Sequence, residues 1–309
     1  MKRVLISVLI LCLLLGCASG QQTQNNTVWY SFTDDLGSNV TLSKAPETIA
    51  ILFSSYADIW CTAGGQVHIT VGESIERGFA DSSAILVDEG SGHTSIDLER
   101  LIHAEPDIVI ATADYECQVD AVRICTENGI PAAAFRVECF NDYLRVLKVF
   151  TQLTGHTENY GIYGTGIKAR IDLLLESVPK SEKRILFIRA GSTAKSTKAK
   201  TADENFVCAM LNELGTHNIA DDAPILLDSL SIEAILISEP DYIFISTMGD
   251  NEAARANVMD MFTHSGWSSL SAVRNGNYMF LEKELFHFKP NARWYDAYSF
   301  LIQTLYPEN

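Results

Sequence analysis

The chain has 309 residues, 47% hydrophobic and 20% charged, with a formal net charge of −16 at pH 7. That length buries a large core and suits two folded units. So acidic a chain offers no electrostatic footprint for nucleic acid or an anionic bilayer; partners with basic contact surfaces suit it better.

Lys2 and Arg3 precede an apolar run, Val4 to Leu15, in the manner of a secretory leader. The run is too short to span a bilayer, which takes ~20 apolar residues. It closes on Leu14-Leu15-Gly16-Cys17, which resembles the lipobox of bacterial lipoproteins. The resemblance implies cleavage before Cys17 and a diacylglycerol on its thiol. The other reading is an ordinary leader in which a cysteine falls at the end. Residues 1–16 are therefore expected to be a signal peptide. Residues 17–27, rich in Gln, Asn, Ser, Gly and Thr, are expected to be a lipidated flexible tether. Such a chain would sit outside the cytoplasm, anchored to the bacterial cell membrane.

Beyond Cys12 and Cys17 stand Cys61, Cys117, Cys125, Cys139 and Cys208, with no Cys-x-x-Cys pair. Buried free thiols are expected; an oxidised Cys117–Cys125 pair is the alternative.

In chain order, Glu47 to Phe53 reads as the first buried strand. From Ser95 to Thr112, Leu98, Leu101 and Ile102 give a helical stripe that Pro106 ends, and Ile108 to Ile110 follow as a strand apolar on both faces. Ile130 to Phe135 reads as another strand. Asn141 to Val178 is helical by composition, broken at Thr154-Gly155; its second part is the expected connector. Gly161, Gly164 and Gly166 there mimic a dinucleotide loop, but no strand precedes them. A glycine inside a helix costs about 1 kcal/mol relative to alanine, so a close packing contact or a frayed first turn is expected instead.

Arg184 to Ile188 is the next strand. Ser229 to Ser246 then repeats Ser95 to Thr112: Ile232, Ile235 and Leu236 form the stripe, Pro240 ends it, and Tyr242 to Ile245 form the strand. Both copies share a Glu-Pro-Asp turn and a glutamate upstream of it, Glu99 and Glu233, off the apolar stripe. Tyr278 to Leu281 is the last strand. Trp294, Tyr298 and Leu301 recur at helical spacing and are expected in the core. Strands alternating with helices and an internal repeat predict an α/β fold: two Rossmann-like lobes joined by one long connecting helix. The N-terminal lobe is expected over 28–156, the connector over 157–179 and the C-terminal lobe over 180–309.

In open α/β sheets ligands lie beyond the carboxyl ends of strands. That rule nominates Ser54, Ser55 and Tyr56; Asp114, Tyr115, Glu116 and Cys117; Arg189, Ser192, Lys195 and Lys198; Thr247 and Met248; and Phe286, His287 and Lys289. Tyr56 and Tyr115 would flank a large planar ligand or pack at the core edge. Arg189 and the lysines would pair with carboxylate, catecholate or phosphate groups as a local basic pocket, or form a solvated basic loop, the reading preferred for Lys195, Lys198 and Lys200.

Further residues carry a family resemblance. Phe32-Thr33-Asp34-Asp35-Leu36-Gly37 with Val40-Thr41-Leu42 and Pro46 open the folded part; both Glu-Pro-Asp repeats follow. Leu211-Asn212-Glu213-Leu214-Gly215 with Asn218-Ile219, Lys289-Pro290-Asn291-Ala292-Arg293-Trp294 and Leu305-Tyr306-Pro307 complete the order. Together they resemble the class III periplasmic binding proteins of ABC importers for ferric siderophores, haem and cobalamin. The resemblance implies no intrinsic cofactor, a monomer, and a transported ferric chelate, haem or cobalamin clamped between the lobes. It also implies that Glu99 and Glu233 dock onto arginines of the membrane permease. His93 stands where cobalamin-binding relatives carry an aromatic pocket residue; it would stack on the ligand, coordinate iron, or simply bond to backbone. Phe286 and His287 match a stretch where relatives insert an aromatic into the cleft.

Three other classes compete. A hydrolase would need a nucleophile elbow, and neither Gly-x-Ser-x-Gly nor His-Glu-x-x-His occurs. A binding protein for free zinc or manganese would need several converging ligands; His93 and His287 supply two at most. A surface sensor would give Glu99 and Glu233 no role.

Overall fold

The computed structural model describes residues 28–88, 95–179 and 182–307. The leader, Cys17, the tether and His93 lie outside the described residues. Among the described residues, no helix is long and apolar enough to cross a membrane.

The N-terminal lobe opens with an antiparallel hairpin, β1 (Tyr30–Thr33) and β2 (Asn39–Leu42). It continues with β3 (Ile49–Ile51), β4 (Ile69–Thr70), β5 (Ile85–Leu86), β6 (Ile108–Thr112) and β7 (Ala132–Phe135), a parallel sheet in the order β5-β4-β3-β6-β7. The C-terminal lobe holds β8 (Arg184–Ala190), β9 (Lys198–Ala199), β10 (His217–Asn218), β11 (Tyr242–Thr247) and β12 (Tyr278–Phe280). Its parallel order is β10-β8-β11-β12, with β9 antiparallel on β8. Parallel strands need crossovers, and helices covering both faces explain why β6 is buried at every position.

The duplicated turn has one physical job in both lobes. Helices Leu98–His103 and Ile232–Ser238 run into Glu105 and Glu239, both left-handed at φ 48° and 43°. Pro106 and Pro240 follow and cannot continue a helix. The next residue then ties the turn to the amino end of the lobe's central strand. Asp107 accepts the Glu47 and Thr48 N–H groups, each at 2.9 Å, and Asp241 accepts that of Arg184 at 2.8 Å. Desolvation opposes ionisation of Asp107, but those N–H groups and the Lys44 ammonium at 3.1 Å outweigh it, holding the carboxyl below its ordinary range.

Between the lobes, Gly155 (φ 79°) ends helix Phe140–Thr154. The connector runs as Glu158–Tyr160, a π turn Gly161–Thr165, and Gly166–Glu176. Gly164 is a packing contact: a Cβ there would lie 3.1 Å from Tyr160 and 3.2 Å from Leu144. One apolar cluster crosses the molecule, taking in Phe135, Phe150, Ile167, Phe187 and Trp294. Trp294, Tyr298 and Leu301 are buried in it, as their spacing predicts. The five described cysteines are free, and Cys117 and Cys125 do not pair. Cys61 is exposed, against the expectation of buried thiols.

Candidate functional site

The carboxyl ends of both sheets converge on a cavity of about 380 Å³. The N-terminal lobe supplies Phe53 and Ser55 after β3, Glu73, Asp114 and Tyr115 after β6, and Glu138 after β7. The C-terminal lobe supplies Arg189 from β8, Glu204 to Phe206, Ser246 from β11, and Phe286 to Lys289 after β12. A larger groove of about 760 Å³, lined by Cys61, His68 and Phe79, is confined to one lobe. Convergence of strand ends from both lobes decides for the smaller one.

Four carboxylates line the cavity, so it is not the basic pocket expected from Arg189 and the lysines. Three of the acids are answered directly by a base. Asp114 pairs with Arg136 at 2.7 Å, Glu138 with Lys289 across the lobes at 3.3 Å, and Glu204 with Lys200 at 3.0 Å. Glu73 accepts the Ser54 hydroxyl, which in turn accepts from Arg77 at 2.9 Å. Arg77 reaches on to Glu284 at 3.3 Å and lies 3.8 Å from the centre of the Phe288 ring, a second tie between lobes. Arg189 is the exception: its guanidinium forms no hydrogen bond or ion pair among the described residues. One surplus cation thus faces the cavity.

His287 sits beside it. Burial, then the positive charges of Arg189 and Lys283, pull the imidazole down to about 4, so it is neutral at pH 7 and keeps a nitrogen lone pair. Tyr115 caps helix Glu116–Glu127. Burial raises its phenol while Arg189 opposes the rise. Phe53, Tyr115, Phe206 and Phe288 add aromatic walls. The arrangement can hold a ligand with flat or apolar faces and an anionic oxygen group. Among the described residues, no three His, Cys, Asp or Glu side chains gather as a metal-ion site.

Of the residues nominated from sequence, Ser55, Asp114, Tyr115, Arg189, Phe286, His287 and Lys289 meet here. Tyr56 does not. The chain passes from β3 directly into helix Ser54–Thr62, which turns Tyr56 inward to 2% exposure. Its hydroxyl donates to the Phe135 carbonyl at 2.6 Å, and burial pushes the phenol well up; it is a core residue. Phe286 shores the wall from within, 1% exposed and 5.4 Å from the Phe300 ring, while half-buried Phe288 is the aromatic beside Arg77. Met248 follows β11 outside the lining, its N–H bonded to the Ala190 carbonyl. Glu99 and Glu233 are both exposed, and neither lines the cavity.

Glu73, Glu138, Glu204, Phe206 and Phe288 are lining residues that sequence reasoning missed. For Phe206 a signal existed: Asn205 precedes an apolar helical run and caps it through the Val207 N–H at 2.9 Å. Helix Phe206–Glu213 therefore starts at the cavity.

A family model described as periplasmic binding protein matches residues 49–285. No curated protein matches the chain. Solved structures do. The iron uptake ABC transporter substrate-binding protein PiuA from Streptococcus pneumoniae is 17% identical, covering 90% of this chain and 98% of its own, with a TM-score of 0.69. Staphylococcus aureus SirA, complexed with staphyloferrin B, is 14% identical over 89% and 98% at 0.68. The periplasmic vitamin B12 binding protein BtuF of Vibrio cholerae is 17% identical over 84% and 97% at 0.67. At such identities the likeness is one of fold. The family match is broader in meaning, and because it spans most of the chain, the protein belongs to the periplasmic binding protein family.

Proposed function

We propose that this protein is the extracytoplasmic binding component of an ABC importer, held to the membrane by a lipid on Cys17. It captures a ferric chelate, haem or a corrinoid between its lobes and delivers it to a permease that meets Glu99 and Glu233. The observation that carries the reading is Arg189, which faces a two-lobed, aromatic-walled cavity and forms no hydrogen bond or ion pair among the described residues. Tyr115 and neutral His287 stand beside it as further ligand contacts. Family membership and fold neighbours named for iron uptake, staphyloferrin B and vitamin B12 support the ligand class.

Trp294 provides the assay, since its ring lies 5.6 Å from Phe206, which lines the cavity. Titrating the purified protein with ferric siderophores, haem and cobalamin should change tryptophan fluorescence with one-to-one stoichiometry for one of them. Silence towards all, with a clear response to Zn²⁺, would overturn the ligand class. Glu99→Ala and Glu233→Ala should abolish uptake into cells while leaving that affinity intact. Loss of affinity in either would sink the docking role.

A further inference from the structure

The duplicated helices put the same carboxylate on each lobe but give it different company. Both helices directly precede a strand of a parallel sheet, so their first turns, with Glu99 and Glu233, lie at the cavity end of the lobes. Aligning the two copies on their left-handed glutamates sets Arg100 opposite Ala234, and His103 opposite Ile237. Residues four apart share a helix face, their Cβ atoms about 5–6 Å apart. Exposed Glu99 therefore shares its face with exposed His103, and exposed Arg100 follows it on the adjoining face. Exposed Glu233 shares its face with Ile237, which is 87% exposed, while the position between, Ile102 in one copy and Leu236 in the other, is apolar in both.

We propose that the two lobes dock onto chemically unlike surfaces of the importer's permease, so that the protein seats in one orientation only. This rests on the docking reading above. The Glu233 face fits a base set in an apolar patch that covers Ile237. The Glu99 face fits a base with an acidic or polar group beside it to answer Arg100. A partner offering identical surfaces to both lobes would serve one badly. An apolar patch closing on Glu99 would strand the Arg100 guanidinium without a partner, and a polar patch closing on Glu233 would leave Ile237 against groups that need water. The permease halves it meets are thus unlike: two different polypeptides, or two different stretches of one.

Photo-crosslinking tests this with the full chain in its own cells. The variants Ile237→benzoylphenylalanine and His103→benzoylphenylalanine are irradiated separately, and the captured peptides are identified by mass spectrometry. Both positions lie on the surface, so folding is expected to survive, and thermal melting checks it. The expected result is permease peptides from both positions, different for the two. The same permease peptide from both would overturn the proposal. So would capture of a second copy of this chain at Ile237, which would make the apolar patch a self-interface. Permease peptides from neither position would instead remove the docking reading itself.

Discussion

The two ends of the paired sheets are built by different means. At the amino ends, each lobe uses one short device: a left-handed glutamate, a proline, and an aspartate bonded to the start of the central strand, Asp107 on β3 and Asp241 on β8. Those bonds need only a backbone and a neighbouring carboxylate, so the device works in both copies. At the carboxyl ends nothing is duplicated. Lys289 meets Glu138, Arg77 meets Glu284, and Asn291 donates to the Ser55 carbonyl at 2.9 Å and the Asp58 carboxylate at 2.8 Å. These are side-chain pairs from opposite lobes, chosen one by one. A lobe can be copied with its scaffold intact while its half of the site diverges.

The sharpest way to break this contrast is at Asn291, which is fully buried, left-handed at φ 50°, and bridges the lobes. Burial raises the Asp58 carboxyl while the Asn291 bond opposes the rise. Asn291→Ala leaves that carboxylate and the Ser55 carbonyl without their donor, and should cost about 3 kcal/mol in urea unfolding. Asn291→Gly relieves the backbone but not the bonds, so it should stay close to the alanine variant. Full recovery with glycine would place the cost in the backbone and remove the case for cross-lobe polar pairs.

At the amino end, Asp107→Asn should cost about 1–2 kcal/mol at pH 7. Its folded carboxyl is held below the ordinary value of ~3.9, so the stabilisation is present above that pH and fades as pH falls through the folded value. The gap between wild type and variant should therefore close in acid. A gap unchanged down to pH 2 would mean the bonds act without the charge.

The effect that is smallest at pH 7, and grows only in acid, concerns His287. The folded imidazole titrates at about 4 and the unfolded one at ~6.5, so the unfolded chain takes up a proton that the fold refuses. Stability should fall as pH drops from ~6.5 to about 4 and level off below, and His287→Gln should flatten that slope. Imidazole NMR signals moving near pH 4 would agree; a midpoint near 6.5 would deny the burial and the charge of Arg189.

The same contrast explains what could be read in advance. Pro106, Pro240 and the apolar stripes before them were legible because each device lies within a few residues of chain. Arg189 was legible because it ends a strand whose both-face apolar run marks it as central. Tyr56 was misplaced because periodicity does not say where a chain leaves a strand: β3 stops at Ile51, and a helix begins at Ser54 with almost no loop. Three of the cavity acids, Glu73, Glu138 and Glu204, were illegible for a deeper reason. Glu138 and Lys289 are partners only once two lobes have closed on each other, and no local pattern encodes that distance.

The central claim is that Arg189, with no ion pair among the described residues, anchors the captured molecule in the cleft through an anionic group. It is tested most directly by measuring the Kd of wild type and of Arg189→Ala for whichever chelate of the panel changes Trp294 fluorescence. Losing a charge-assisted pair of about 2–3 kcal/mol should weaken binding roughly 30- to 150-fold, with the melting temperature unchanged. Equal affinity in the two proteins would contradict the account.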